Sequence, residues 1–217
     1  MKKALLTMLL IALAASAFAG IDLGLSVGYS QISNKYEVYQ ASGVEDSQEY
    51  LKTDGLSLDA HFAFPIKNAA TLEIGARYVL ALDNVVAGKP VSIDRAADYF
   101  DSFMFRVGSG YAMNAGEGLD VEMQFGLELS ASCFLKGGLN TSSKAFIALD
   151  AYALMRGEYP LAKNLKLTCT VDFAYAIMGD LIAFNGTEWT VATVAEGLAA
   201  EFSSTAVNAS MGICLEL

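Results

Sequence analysis

Residues 119–135, LDVEMQFGLELSASCFL, place an apolar side chain at every odd position from Leu119 to Leu135. The even positions carry Asp120, Glu122, Gln124, Gly126, Glu128, Ser130 and Ser132, with Phe134 the exception. Side chains leave a strand to opposite faces with period two, so this alternation predicts a β-strand with one greasy and one polar face. Seven other stretches repeat it. They run over 21–30, 55–64, 71–82, 102–113, 144–159, 165–177 and 207–217. The stretch at 144–159 is the least regular, because Phe146, Tyr152 and Leu154 oppose the apolar face of Ala145, Ile147, Leu149, Ala151, Ala153, Met155 and Tyr159. Eight strands are expected.

The connections alternate in length. Short ones follow the second, fourth and sixth strands (PIKN, NAGEG and PLAKN), and longer ones are expected over 31–53, 83–99, 136–143 and 179–205. An even number of strands with short turns at one rim and long loops at the other describes an outer-membrane barrel. A soluble barrel would show the same alternation with its faces exchanged. Three features put lipid outside. The polar face is built largely of Gly, Ser, Thr and Ala, which suit a cramped eight-stranded interior. Aromatics gather on the apolar face at both rims, Tyr29, Tyr78, Phe103 and Tyr175 at one end and Phe62, Phe64, Tyr111 and Tyr159 at the other. Such girdles belong where rings meet the two membrane interfaces. Several apolar stripes also reach the roughly 9–11 residues of a tilted crossing.

Composition narrows the picture. Residues 1–19 read as a signal peptide: Lys2 and Lys3, the apolar run ALLTMLLIALAA, and an A-x-A site ending at Ala19. That predicts export through the Sec pathway and a barrel domain over 20–217. Without Lys2 and Lys3 the chain carries 12 basic and 24 acidic residues, a net charge of −12, which argues against nucleic acid as a partner. Three cysteines are an odd number for an exported chain, and no His, Cys and carboxylate spacing matches a ligand motif, so neither a disulfide framework nor a metal or other cofactor is expected.

With these stripes and rims the chain resembles the small eight-stranded outer-membrane proteins of OmpX, OmpW and OmpA-barrel type. The resemblance covers about residues 20–217. It implies an all-β, antiparallel up-and-down transmembrane barrel in the bacterial outer membrane, monomeric, with membrane lipids and the barrel-assembly machinery as partners. The segment VNASMGICLEL keeps the alternating C-terminal pattern of the group but ends in Leu217 where the group has an aromatic.

Charges inside so narrow a barrel need partners. Counting across the short turns sets Arg106 beside Glu128 and Glu158 opposite Lys166, and counting across 136–143 sets Tyr152 near Glu128 and Glu158 near Glu122. These pairs predict an Arg106–Glu128–Tyr152 network at mid height and a Glu158–Lys166 pair at the periplasmic rim. Asp59, Glu73, Arg77, Asp150 and Asp172 complete the expected polar interior. The interior reads as a structural plug or as a narrow gated path whose charge pairs exchange partners. Catalysis would have to rest on His61, the single histidine, with Asp59 on the same face. In the last long connection Thr193 and Glu196 have capping-box spacing, so Val194, Leu198, Ala199 and Phe202 are expected on one side of a short helix. Trp189, Leu198 and Phe202 are the candidate contacts for an extracellular ligand or host protein. The reading is a non-enzymatic barrel acting through acidic loops, with a narrow channel for small or hydrophobic solutes as the alternative and a lipid-directed enzyme as a third class.

Overall fold

The computed structural model describes residues 20–40, 45–66, 69–86, 89–91, 98–99, 101–116, 118–136, 143–184, 188–191 and 198–217. The expected signal peptide lies outside them. Eight long strands form the barrel: β1 (Asp22–Gln40), β2 (Glu45–Pro65), β3 (Ala70–Val86), β4 (Ser102–Gly116), β5 (Leu119–Lys136), β6 (Ser143–Ala162), β7 (Leu165–Phe184) and β8 (Leu198–Glu216). Each pairs antiparallel with its neighbour in sequence. The ring closes where β1 pairs with β8, from Asp22–Glu216 to Gln40–Leu198. Closure is what a bilayer demands, since an open sheet edge in hydrocarbon would strand its backbone donors and acceptors. Gly116 and Gly118 make the turn between β4 and β5 with φ of 98° and 81°, a region that side chains with a Cβ seldom enter.

The alternation of the sequence becomes an inside and an outside. Leu25, Val27, Leu58, Phe105, Phe125, Leu129, Val171, Phe173 and Met211 stand exposed on the convex face. Asp59, Glu73, Arg77, Arg106, Glu122, Glu128, Arg156 and Asp172 are buried on the concave one. A globular protein in water would reverse this. The rim aromatics Tyr29, Phe103, Tyr175, Tyr111 and Tyr159 are all outward and exposed.

The connections expected over 31–53, 83–99 and 179–205 are in large part strand. β1 continues to Gln40, β2 begins at Glu45, β3 runs to Val86, β7 reaches Phe184 and β8 begins at Leu198. Short strands at Lys89–Val91, Asp98–Tyr99 and Trp189–Val191 add to β3, β5 and β7. The physical reason is a change of solvent. On β1 the outward residues become Gln31, Ser33, Lys35 and Glu37, while Ile32 and Tyr36 turn into the buried interior. Period two persists and the apolar side changes face. At ~3.3 Å per residue and a tilt of ~40°, strands of 19–21 residues rise about 48–53 Å, roughly twice the ~25 Å apolar band of such barrels. About 20 Å or more of sheet therefore stands outside the hydrocarbon.

The helix expected around Thr193 and Glu196 is not formed by the residues that can be described. Leu198, Ala199 and Phe202 lie on β8, and 192–197 fall outside the described residues. Across the wall next to β8, pairing is incomplete. Among the described residues, β7 and β8 pair only from Leu165–Leu215 up to Tyr175–Thr205. Above that point β7 pairs with β6 and with Trp189–Val191, and β8 pairs with β1.

Candidate functional site

The polar faces converge in a layered lumen. At mid height Arg77 on β3 reaches across the barrel to β7. Its Nε donates to Asp59 Oδ1 at 2.5 Å, and its Nη1 and Nη2 donate to Asp172 Oδ1 and Oδ2 at 2.8 and 2.5 Å. This is a two-pronged guanidinium–carboxylate contact, the strongest kind of charged hydrogen bond available to side chains. Asn208 on β8 donates to Asp172 at 3.1 Å and accepts from Ser30 and Ser57 at 2.8 and 2.7 Å, which ties β1, β2, β7 and β8 together.

Arg106 on β4 faces Glu128 directly in register. Its guanidinium nevertheless turns elsewhere, with Nη2 at 3.2 Å from Glu73 Oε1 and Nη1 at 3.7 Å from Asp172 and 4.0 Å from Asp59. It also lies 5.9 Å from the centre of the Tyr152 ring. The expected Arg106–Glu128–Tyr152 network is thus corrected to Arg106–Glu73 with Tyr152 stacked beside it. Directly opposed residues share a face, but a side chain as long as arginine selects its partner across the lumen as readily as along the wall. On its other side Glu128 faces Asp150 in register, whose Oδ2 accepts from Ser130 at 2.6 Å.

The lower layer centres on Arg156, buried on β6. Its Nη2 lies 2.7 Å from Glu73 Oε2, and its Nη1 donates to Glu122 Oε2 at 3.0 Å. Gln124 donates to Glu73 Oε2 at 2.9 Å, Tyr152 donates to Gln124 at 3.4 Å, and Thr71 donates to Glu122. Arg156, Glu122 and Gln124 were absent from the candidate set. The signal was there, since Arg156 occupies an even position of the least regular stretch, where the neighbouring Tyr152 and Leu154 also point inward. Glu122 faces Arg156 and Glu158 faces Asp120, so Glu158 lies diagonally beside Glu122 as expected, and both line one cavity, while the ion pair of Glu122 is with Arg156.

At the periplasmic rim Lys166 donates to Glu158 at 2.9 Å and lies 3.7 Å from Asp22. In register Glu158 faces Thr168, and Lys166 faces Pro160, two residues from the expected count, because the hairpin closes at Ala162–Leu165 rather than at Tyr159–Leu165. Below the Arg156–Glu122 pair a cavity of about 280 Å³ opens, lined in part by Asp22, Asp120, Glu158 and Lys166.

His61 lies in the same layer, with Nε2 3.9 Å from Glu73. It fits because Gly24 faces it across the β1–β2 pair: a Cβ at Gly24 would fall 2.0 Å from its Cε1. Gly108 makes similar room for Tyr152, whose hydroxyl would be 2.1 Å from a Cβ there. Glycine on the lumenal face is what lets an eight-stranded barrel hold large side chains. Among the described residues no set of three His, Cys, Asp or Glu side chains converges as metal ligands. Cys133, Cys169 and Cys214 are free thiols.

Beside and above the ionic layers, apolar clusters share the lumen with buried polar side chains such as Asn34, Thr53 and Asn84. One cluster joins Ile32, Val79, Met104, Tyr152, Leu154, Ala174 and Ala206. A higher one joins Tyr36, Leu51, Ala81, Phe146 and Leu181, with Val38 and Phe202 packed against it. Of the three loop-contact candidates, Phe202 therefore serves the interior, Leu198 opens β8, and Trp189 opens a short strand while its side chain lies outside the described residues.

An eight-stranded antiparallel ring, apolar on its convex face and ionic within, is the fold of the outer-membrane β-barrels. Among solved structures the chain is similar to the outer-membrane protease OmpT of Escherichia coli (10% identity, 91% of this chain and 97% of that one, TM-score 0.57). It is likewise similar to OprG of Pseudomonas aeruginosa (9%, 92% and 97%, TM-score 0.53) and to the Neisserial surface protein NspA (12%, 89% and 99%, TM-score 0.52). No family model matches the sequence. No curated protein matches it either.

Proposed function

We propose that the protein is a resident of the bacterial outer membrane, exported through the Sec pathway, with a closed lumen and a non-enzymatic role carried by the sheet and loops outside the bilayer. One observation supports this above the others: Arg77 spans the lumen from β3 to β7 with both partners buried. Moving an ion or solute through this layer would mean breaking a buried, doubly hydrogen-bonded pair, at a cost of about 3–5 kcal/mol. The apolar clusters above would have to part as well. His61, enclosed at 3% exposure, offers no surface to a substrate. The outside of the extramembrane wall is polar, with Gln31, Lys35, Glu37, Lys52, Asp54 and Glu201 on or near its face, and suits contact with an envelope or host ligand.

Planar-bilayer recording on refolded protein tests the closed lumen. Silent membranes at 100 mV are expected. Reproducible single-channel steps, abolished by cross-linking β3 to β7, would replace this reading with a narrow channel.

A further inference from the structure

Among the described residues, the wall of the barrel has a window where β7 and β8 part company. Its lower edge is the last β7–β8 pair, Tyr175–Thr205, and its upper edge is the short strand Trp189–Val191 against Ile182–Phe184 of β7. Its sides are Ala176–Leu181 of β7 and Leu198–Ser204 of β8. Among the described residues nothing pairs across it. The ring of Phe202 backs it on the lumenal side: a Cβ on Gly179 would fall 2.2 Å from Phe202 Cε1, so the absence of a side chain at Gly179 is what seats the ring. On the lumenal side Phe202 meets Phe146, with ring centres 6.0 Å apart, and the cluster of Tyr36, Leu51 and Leu181.

The outer approach is apolar at its lower edge on β7, with Asp180 and Glu201 on the outward face above it. A bulge leaves Ile177 without a partner, since Leu149 pairs with Met178 and Asp150 with Ala176. Both Ile177 and Met178 therefore stand outward, at 59% and 64% exposure. Bulges of this kind re-aim side chains and collect beside functional sites. On β8 the outward face changes from Val207 to Thr205 at the same level. The window thus begins where the lipid-facing belt ends, and on the β7 side the belt runs into it without a break.

We propose that this window is a binding site for a single hydrocarbon chain, the acyl tail of a membrane amphiphile, which enters past Ile177 and Met178 and displaces the Phe202 ring. The chemistry follows from what it replaces. A phenyl ring on an apolar cluster gives way to another apolar group of similar cross-section. Continuity with the lipid belt supplies the ligand, and the ionic layer at Arg77 and Asp172 sets the depth at which the chain stops. This site does not depend on whether the lumen conducts.

The test uses folded full-length protein in lipid nanodiscs containing a diazirine-bearing palmitate, with cross-linked peptides mapped by mass spectrometry. Labelling is expected to concentrate on residues 176–181 and 198–204. Phe202→Ala should raise it at least threefold and Gly179→Leu lower it at least threefold, with labelling of the belt around Phe125 unchanged. Heat-modifiable gel migration reports folding. If Gly179→Leu does not fold, Phe202→Ala alone decides. Labels spread over the whole belt, or window labelling indifferent to Phe202→Ala, would overturn the proposal.

Discussion

Replacing Arg77 by Met removes three hydrogen bonds, two to Asp172 and one to Asp59, and leaves both carboxylates buried. Each charged hydrogen bond contributes about 1.5–3 kcal/mol. Their sum, ~4.5–9 kcal/mol, is an upper bound, because Arg106 Nη1 already lies 3.7 Å from Asp172 and 4.0 Å from Asp59 and can move toward both. Partial takeover of this kind brings the expectation to about 3–5 kcal/mol, the usual cost of breaking one side of a buried pair. Urea unfolding in lipid vesicles, followed by tryptophan fluorescence and gel migration, measures it. With a slope of ~1–3 kcal/mol per molar urea, the midpoint should fall by at least about 1 M. The decisive comparison is the double variant Arg77→Met with Asp172→Leu. A pair removed together leaves only Asp59 in need of a partner, so the double variant should be more stable than Arg77→Met alone. An Arg77→Met protein within ~0.5 kcal/mol of wild type, or a double variant that loses the sum of the singles, would refute the cross-lumen pair as an energetic element.

Other expectations follow from the same geometry. Gly24→Ala should cost ~1–3 kcal/mol by overpacking against His61, and adding His61→Ala should recover most of it, read by the same unfolding midpoint. Leu25→Arg, within the lipid belt, should cost about 2–4 kcal/mol, whereas Gln31→Arg, beyond the change of face and 2.8 Å from Asp54, should stay within ~0.5 kcal/mol. Equal costs at the two positions would place the membrane boundary elsewhere. Arg156→Met should destabilise by about 3 kcal/mol or more while Lys166→Met costs under ~1, because Lys166 sits at a wet rim and Arg156 in the dry lumen.

The membrane-embedded half of the fold was legible because lipid imposes a strict rule: every outward position from Leu119 to Leu129 must be apolar, so the period announces itself. The upper half obeys a different rule. From Ile32 to Val38 and from Phe202 to Ala206 the alternation continues with its faces exchanged, and a reader looking for outward grease finds polar outward residues and infers loops. Within the site, burial of the charged residues could be read from their positions on the even face, and Lys166–Glu158 formed despite a shifted register. The partners of Arg106 could not be read that way. Register counting compares neighbours along the wall, whereas the lumen of so narrow a barrel brings Asp59, Glu73 and Asp172 from three other strands within reach of one guanidinium group. Arg156 was missed for a related reason, since the large side chains that crowd β6 obscure which of its faces is inside.

The exchange of faces on β1, β2 and β8 gives the cell a surface unlike that of a loop-capped barrel. A molecule approaching from outside meets side chains set on a lattice, ~4.8 Å from strand to strand and ~6.8 Å from one outward residue to the next. Such positions hold still before anything arrives, so little freedom remains to be lost on contact. Under the proposed role, substitutions there alter recognition one lattice point at a time, without disturbing the apolar clusters that keep the two sides of the wall apart.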